Sequence, residues 1–175
     1  MALVLREGAR GSEVLFIERA RFEDDPWSGH MAFPGGRVDP GDADARRAAE
    51  RETEEEVGLS LARAEPLGRL HDLKEFGRPE GLVISAFAYH LPDPGPLRPN
   101  YEVASAFFVP LRDLLDPARH VAWRRPGLPV AFPGIVVGDP DRHVVWGLTF
   151  RFLEDFFEAL GRPLRHPVPF PRRPR

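Results

Sequence analysis

The chain has no cysteine among its 175 residues, which removes disulfides and thiolate metal sites from consideration. It has no glutamine, one asparagine (Asn100) and one lysine (Lys74). No apolar run reaches the ~18 residues that a membrane-spanning helix needs, so no membrane partner is expected. The opening MALVLREG meets a charge at Arg6 and is too short for a signal peptide, which makes a cytoplasmic location the expectation. An excess of positive charge is also missing. The formal net charge is −3 and the pI about 6.1, which argues against nucleic-acid binding. Repeats are absent, and the length suits one domain with a sizeable core.

Proline and arginine are what the chain has in quantity. There are 20 prolines, and all but one of the 24 basic side chains are arginine. Few amides and many loop prolines fit a heat-adapted protein. A GC-rich genome would give the same arginine bias.

The most informative stretch is residues 31–59, MAFPGGRVDPGDADARRAAERETEEEVGL. A Pro-Gly-Gly turn leads into a helix expected over residues 43–57, with Asp42 or Asp44 as N-cap and Gly58 as C-cap. At 100° per residue, Glu52, Glu55 and Glu56 fall within an arc of roughly 100°. Like charges at this spacing cost a few tenths of a kcal/mol per contact in a bare helix. A divalent cation removes that cost, and Mg²⁺ prefers a few carboxylates with water and substrate phosphate. Small residues at Ala45, Ala48 and Ala49 would let a bulky ligand approach. Ala49, Thr53 and Val57 form an apolar strip suited to a sheet, while Glu50 and Glu54 point away and read as solvated.

At these residues the sequence resembles the Nudix hydrolase family, whose box reads G-x5-E-x7-R-E-U-x-E-E-x-G-U. Gly36 opens it and residues 51–59 close it. Asp42 stands for the first glutamate, Thr53 for an aliphatic residue, and eight residues separate Asp42 from Arg51. The longer spacer looks like the subgroup that includes coenzyme A pyrophosphatases. So do residues 15–19 with Gly29 and 33–36, and Trp146-Gly147-Leu148-Thr149 near the C-terminus. Ala20 and the acidic run Glu23-Asp24-Asp25 depart from the subgroup. The resemblance reaches from about residue 3 to residue 160.

It implies a Nudix-type α/β/α sandwich with a mixed sheet, over a domain of residues 1–161 followed by a Pro/Arg-rich tail, 162–175. It also implies Mg²⁺ or Mn²⁺ held by Glu52, Glu55 and Glu56 and by the Gly35 carbonyl. Arg51 resembles the arginine that orients a metal-site glutamate, or it forms a surface pair with Glu55. Glu102 resembles a glutamate used near the metals from outside the box. Arg19 could meet a phosphate or pair with Glu18 or Asp24. Phe33, beside Gly36, could stack on a base, as could Trp146, or both could be core. The histidines at 71, 90 and 143 lack metal spacing. The tail arginines could attract a polyanion or lie in solvent. The expected activity is pyrophosphate hydrolysis of a small-molecule nucleotide, with coenzyme A or acyl-CoA first. ADP-ribose, NADH or a dinucleoside polyphosphate is the alternative, and a non-catalytic nucleotide-binding module is the rival class. A homodimer is the assembly allowed for.

The remaining elements follow from periodicity. Residues 2–5 and 14–18 read as a hairpin, and residues 31–33 as a short strand. Residues 66–73, 82–91, 104–109, 130–137 and 143–146 read as strands, with a Gly-Pro-Gly loop at 77–81. Residues 110–115 start a short helix, and 148–160 read as a longer one.

Overall fold

Residues 2–5 and 14–17 form continuous apolar runs because their strands are covered on both faces. In the computed structural model, which describes residues 1–23, 27–75, 81–124, 129–165 and 167–170, β1 (Ala2–Gly8) and β2 (Gly11–Arg19) pair antiparallel. Alternate side chains go to opposite cores. Ala2, Val4, Leu15 and Ile17 enter one cluster. Leu3, Leu5, Val14 and Phe16 enter the other. Each such large side chain contributes about 1.5–3 kcal/mol through burial.

The main sheet is completed by β3 (Met31–Ala32), β4 (Glu65–Arg69), β7 (Phe87–His90) and β8 (Val103–Pro110). β1 and β7 run parallel, and the other pairs are antiparallel, so the sheet is mixed. The 2-stranded ribbon β5 (Leu73–Glu75) and β6 (Leu82–Ile84) stands apart. So does the 3-stranded sheet of β9 (His120–Arg124), β10 (Ala131–Val136) and β11 (Val144–Trp146).

α1 (Ala45–Val57) lays Ala49 and Val57 on the first core. α3 (Gly147–Ala159) lays Phe150, Phe152, Leu153, Phe156 and Phe157 on the second. α2 (Leu111–Leu114) is a single turn that anchors Leu114 in that same core. The result is the expected α/β/α sandwich. Among the described residues no helix is long and apolar enough to cross a membrane.

Several expectations need correction. The strand expected over 82–91 is two strands, broken at Ser85 and Ala86, where the Ala86 carbonyl accepts from Leu70 N–H instead (2.9 Å). The strand expected over 66–73 ends at Arg69 as β4, and its last residue, Leu73, instead begins β5; β9 lay outside the expected set. Ala48 is buried and Ala49 packs in a core, so they bring the helix close to the sheet rather than admit a ligand. Glu50 is not solvated: it accepts from Arg46 Nε (3.0 Å) and from the buried Tyr89 hydroxyl (3.2 Å), and pairs with Arg47. Residues 162–165 and 167–170 carry no helix or strand, yet Leu164 and Phe170 pack against the core. Most of the loop expected at 77–81, with Asp24, Asp25 and the last three tail arginines, lies outside the described residues.

Candidate active site

Asp44, not Asp42, caps α1: its Oδ1 accepts from Arg47 N–H at 2.8 Å. Gly58 ends the helix in the left-handed region (φ 71°). Asp42 is thereby free for a different task. Its two oxygens accept from Arg51 Nε (3.1 Å) and Nη2 (3.0 Å), a fork-to-fork pair. That pair holds the Asp42 carboxyl below its usual range.

Arg51 is a hub. Besides Asp42 it donates to Glu55 Oε2 (3.0 Å) and to the Arg37 carbonyl (3.2 Å), and it lies 3.0 Å from Glu52 Oε1. Arg51 thus makes the expected pair with Glu55 and also lies against the box glutamate Glu52. These acceptors keep it firmly protonated.

The three box glutamates lie at graded depth. Glu55 is 56 % exposed. The Glu52 side chain is 16 % exposed. Glu56 is 2 % exposed. Glu56 accepts a hydrogen bond from the Gly35 amide at 2.9 Å. Burial pushes its carboxyl up to about 7; the Gly35 amide and Arg19 oppose the shift, while Glu52 and Glu102 add to it. Burial also raises Glu52, with Glu55 and Glu102 reinforcing it and Arg51 opposing. The four glutamates thus share one electrostatic field.

Two glycines make room for this. A Cβ on Gly36 would lie 2.3 Å from Glu52 Oε1. Gly35 has φ 146°, and a Cβ there would lie 2.5 Å from the Met1 Cα. Thr53, in the aliphatic position of the box, is buried with its hydroxyl donating to the Ala49 carbonyl (2.7 Å), so it costs no unpaired polar group.

Glu102 precedes β8. Its amide donates to Asn100 Oδ1 (2.8 Å), and its carbonyl accepts from Ala20 N–H (2.8 Å). Arg19 ends β2 at a bulge, where its strand partner skips from Ser105 to Val103. It is near enough to Glu56 to favour the ionised form. Phe33 is corrected: it is fully buried and stacks on Phe16 (centroids 5.3 Å apart, planes at 17°), so it is core and presents no face to a base. Trp146 packs against His30 (4.9 Å) and Phe132 (5.2 Å).

The three histidines go separate ways. His71 pairs with Asp155, His90 lies near Glu7 and Glu65, and His143 reaches Glu18. Glu18 is a buried carboxylate bound by Arg142 (3.0 Å) and Ser105 (2.9 Å), a cluster the sequence did not signal. Asn100 also escaped the sequence reading, although its being the lone asparagine was a signal.

Among the described residues, no group of three His, Asp or Glu side chains is placed as a ready ligand set for a metal ion. The box glutamates are partnered instead within the protein, Glu52 and Glu55 sharing Arg51 and Glu56 taking the Gly35 amide. The donors nevertheless suit a hard divalent cation. Glu56 is buried with one amide donor, and its field holds Glu52 and Glu102 besides Arg19, an imbalance that a cation relieves.

Comparison with known proteins agrees with this geometry. A family model described as NUDIX domain matches residues 1–130. The uncharacterized protein C14C4.10c of Schizosaccharomyces pombe is 41 % identical over 110 residues, covering 59 % of this chain and 33 % of its own. The human protein named mitochondrial coenzyme A diphosphatase NUDT8 is 36 % identical over 142 residues, covering 76 % of this chain and 56 % of its own. The chain thus spans one third to just over half of the length of these curated relatives. Among solved structures, a C. elegans Ap4A hydrolase complex superposes with TM-score 0.53 at 23 % identity, over 64 % of this chain and 78 % of that one. That likeness establishes the fold.

Proposed function

This chain belongs to the Nudix hydrolase family, and on that premise we propose that it is a metal-dependent pyrophosphohydrolase of a nucleoside diphosphate linked to a second group. The observation that carries this is Glu56, buried and held by the Gly35 amide, in one field with Glu52 and Glu102. Such a cluster is a poor host for a polyanion without cations.

Glu52, Glu55, Glu56 and the Gly35 carbonyl would hold Mg²⁺ or Mn²⁺. Bound there, the ion supplies neutralised phosphate charge and an activated water. The residues of the chain do the rest. Arg51, fixed by Asp42, sets the angle of Glu55 and Glu52. Glu102, gripped at both ends of its peptide, faces the same field and is the candidate to take a proton from water. Arg19, near enough to Glu56 to favour its ionised form, is the candidate to meet a phosphate. Water adds to one phosphorus, the P–O–P bridge breaks, and the bridging oxygen leaves with the other phosphate.

Coenzyme A or an acyl derivative is the first substrate, cleaved to 4′-phosphopantetheine, or its acyl form, and 3′,5′-ADP. The subgroup-like segments at 15–19, 33–36 and 146–149 support this, as does the 36 % identity to the human relative of that name. The test is a panel with product identification in Mg²⁺ and in Mn²⁺: coenzyme A, dephospho-coenzyme A, ADP-ribose, NADH and diadenosine polyphosphates. Coenzyme A should have the highest specificity constant, and dephospho-coenzyme A a lower one, because a site that pairs with a phosphate penalises the analogue lacking it. Higher values for ADP-ribose than for both would move the substrate to the alternative. Activity undiminished after chelation would remove the metal mechanism.

A further inference from the structure

Asn100 is the only asparagine in a chain without glutamine, and its bonds join the two halves of the site. The loop of residues 98–102 docks on the last turn of α1. Arg98 N–H donates to the Val57 carbonyl (2.9 Å), and Asn100 N–H donates to the Glu56 carbonyl (3.0 Å). Gly58 permits this approach, since a Cβ there would lie 3.0 Å from the Arg98 Cβ. The Asn100 side chain then turns the other way, and its Oδ1 accepts from Glu102 N–H at 2.8 Å. The Asn100 carbonyl accepts from Val103 N–H at 3.3 Å, where β8 begins.

We propose that Asn100 is a positioning residue: it ties the Glu102 peptide to the peptide of Glu56 and so fixes the separation of these two carboxylates. The inference rests on the reading of Glu102 as part of the hydrolytic site. The chain from Glu56 to Glu102 is two hydrogen bonds and one side chain long, and its side-chain bond is partly buried. The opposite end of the Glu102 peptide is held by Ala20 N–H, next to Arg19. An apolar residue at 100 keeps the backbone bond to Glu56 but leaves the Glu102 amide without its acceptor. Aspartate keeps the acceptor and adds a charge that a cation tolerates.

Four proteins test this: Asn100→Leu, Asn100→Asp, Glu102→Gln and the double variant Asn100→Leu/Glu102→Gln. Three quantities are read, namely amide exchange at residue 102, Mn²⁺ affinity by titration calorimetry, and turnover of coenzyme A and of ADP-ribose. Asn100→Leu should speed exchange at residue 102 and shift whichever of Mn²⁺ affinity or turnover Glu102→Gln also shifts. The loss expected is about fivefold, the size of one hydrogen bond. Asn100→Asp should restore both, with Mn²⁺ affinity at or above that of the parent protein. The double variant should be no worse than Glu102→Gln, because the two act as one unit. Parent-like values in Asn100→Leu, while Glu102→Gln is impaired, overturn the inference and leave the hydrolase reading intact. A full additive loss in the double variant also overturns it, since that marks general loosening. If Glu102→Gln changes neither Mn²⁺ affinity nor turnover, Glu102 leaves the site, and the inference falls with that reading.

Discussion

α1 and α3 are each 13 residues long and cover opposite faces of one sheet, but they are built for different work. α3 buries four phenylalanines, Leu153 and Thr149. α1 buries two alanines, Thr53, Val57 and a glutamate. Its hold on the sheet comes from close approach, a capping aspartate, a C-terminal glycine and a web of ion pairs around Arg51 and Glu50. Aromatic burial makes α3 a source of stability. The charge packed into α1, the part of the proposed site that α1 supplies, comes at a cost in stability, which α3 and the doubly covered strands offset. A fold can thus place an unfavourable cluster of carboxylates on one face because the other face is over-provided.

The strongest way to break this contrast is Glu56→Gln. It should abolish turnover by orders of magnitude while leaving the melting temperature of the metal-free protein unchanged or raised, because a buried charge is removed without loss of volume. A large fall in melting temperature would show that α1 depends on that carboxylate for stability. Next in size is Phe152→Ala, which should cost about 3–5 kcal/mol in urea unfolding. The folded fraction should keep its turnover; an equal loss of turnover would tie α3 to the chemistry.

A pH titration sharpens the comparison further. The Glu56 carboxyl is raised from 4.5 to about 7 in the folded chain. Its folded state therefore holds a proton that the unfolded state has released. Stability of the metal-free protein should be fullest below about 4.5 as far as this group is concerned, and fall as pH rises towards 7. Excess Mn²⁺, or Glu56→Gln, should flatten the slope, as followed by urea midpoints across that range. The smallest effect belongs to Glu54→Gln, on the exposed side of α1. It should change stability by no more than about 0.5 kcal/mol and leave turnover nearly untouched; damage equal to that in Glu56→Gln would undo the helix-face argument.

The sequence made the first hairpin, both long helices and the box glutamates legible, because their periodicities are local. Three kinds of feature were not. β5 is three residues long and β9 has no fully buried residue, so no apolar run marks them. Glu50 was misread because its partner Tyr89 lies 39 residues away, on a strand whose register only the fold sets. The assignment of the helix cap to Asp44 and the arginine clamp to Asp42 depended on the path of the loop, which spacing alone does not fix. Phe33 shows the same limit: an aromatic beside a Pro-Gly-Gly turn suits a ligand or a core equally well, until Phe16 is seen against its face.

The core beneath α3 also carries a consequence for synthesis on the ribosome. Its members Leu3, Leu5, Val14 and Phe16 are made well before their cover, Ile135 to Phe157. At ~5–20 residues per second, the hairpin waits roughly six to thirty seconds for that cover. α1 and its small first-core partners arrive much sooner. The half of the molecule that holds the proposed site can therefore assemble before the half that supplies most of the packing. Conditions that slow elongation lengthen the interval in which an unfinished sheet can find the wrong partner.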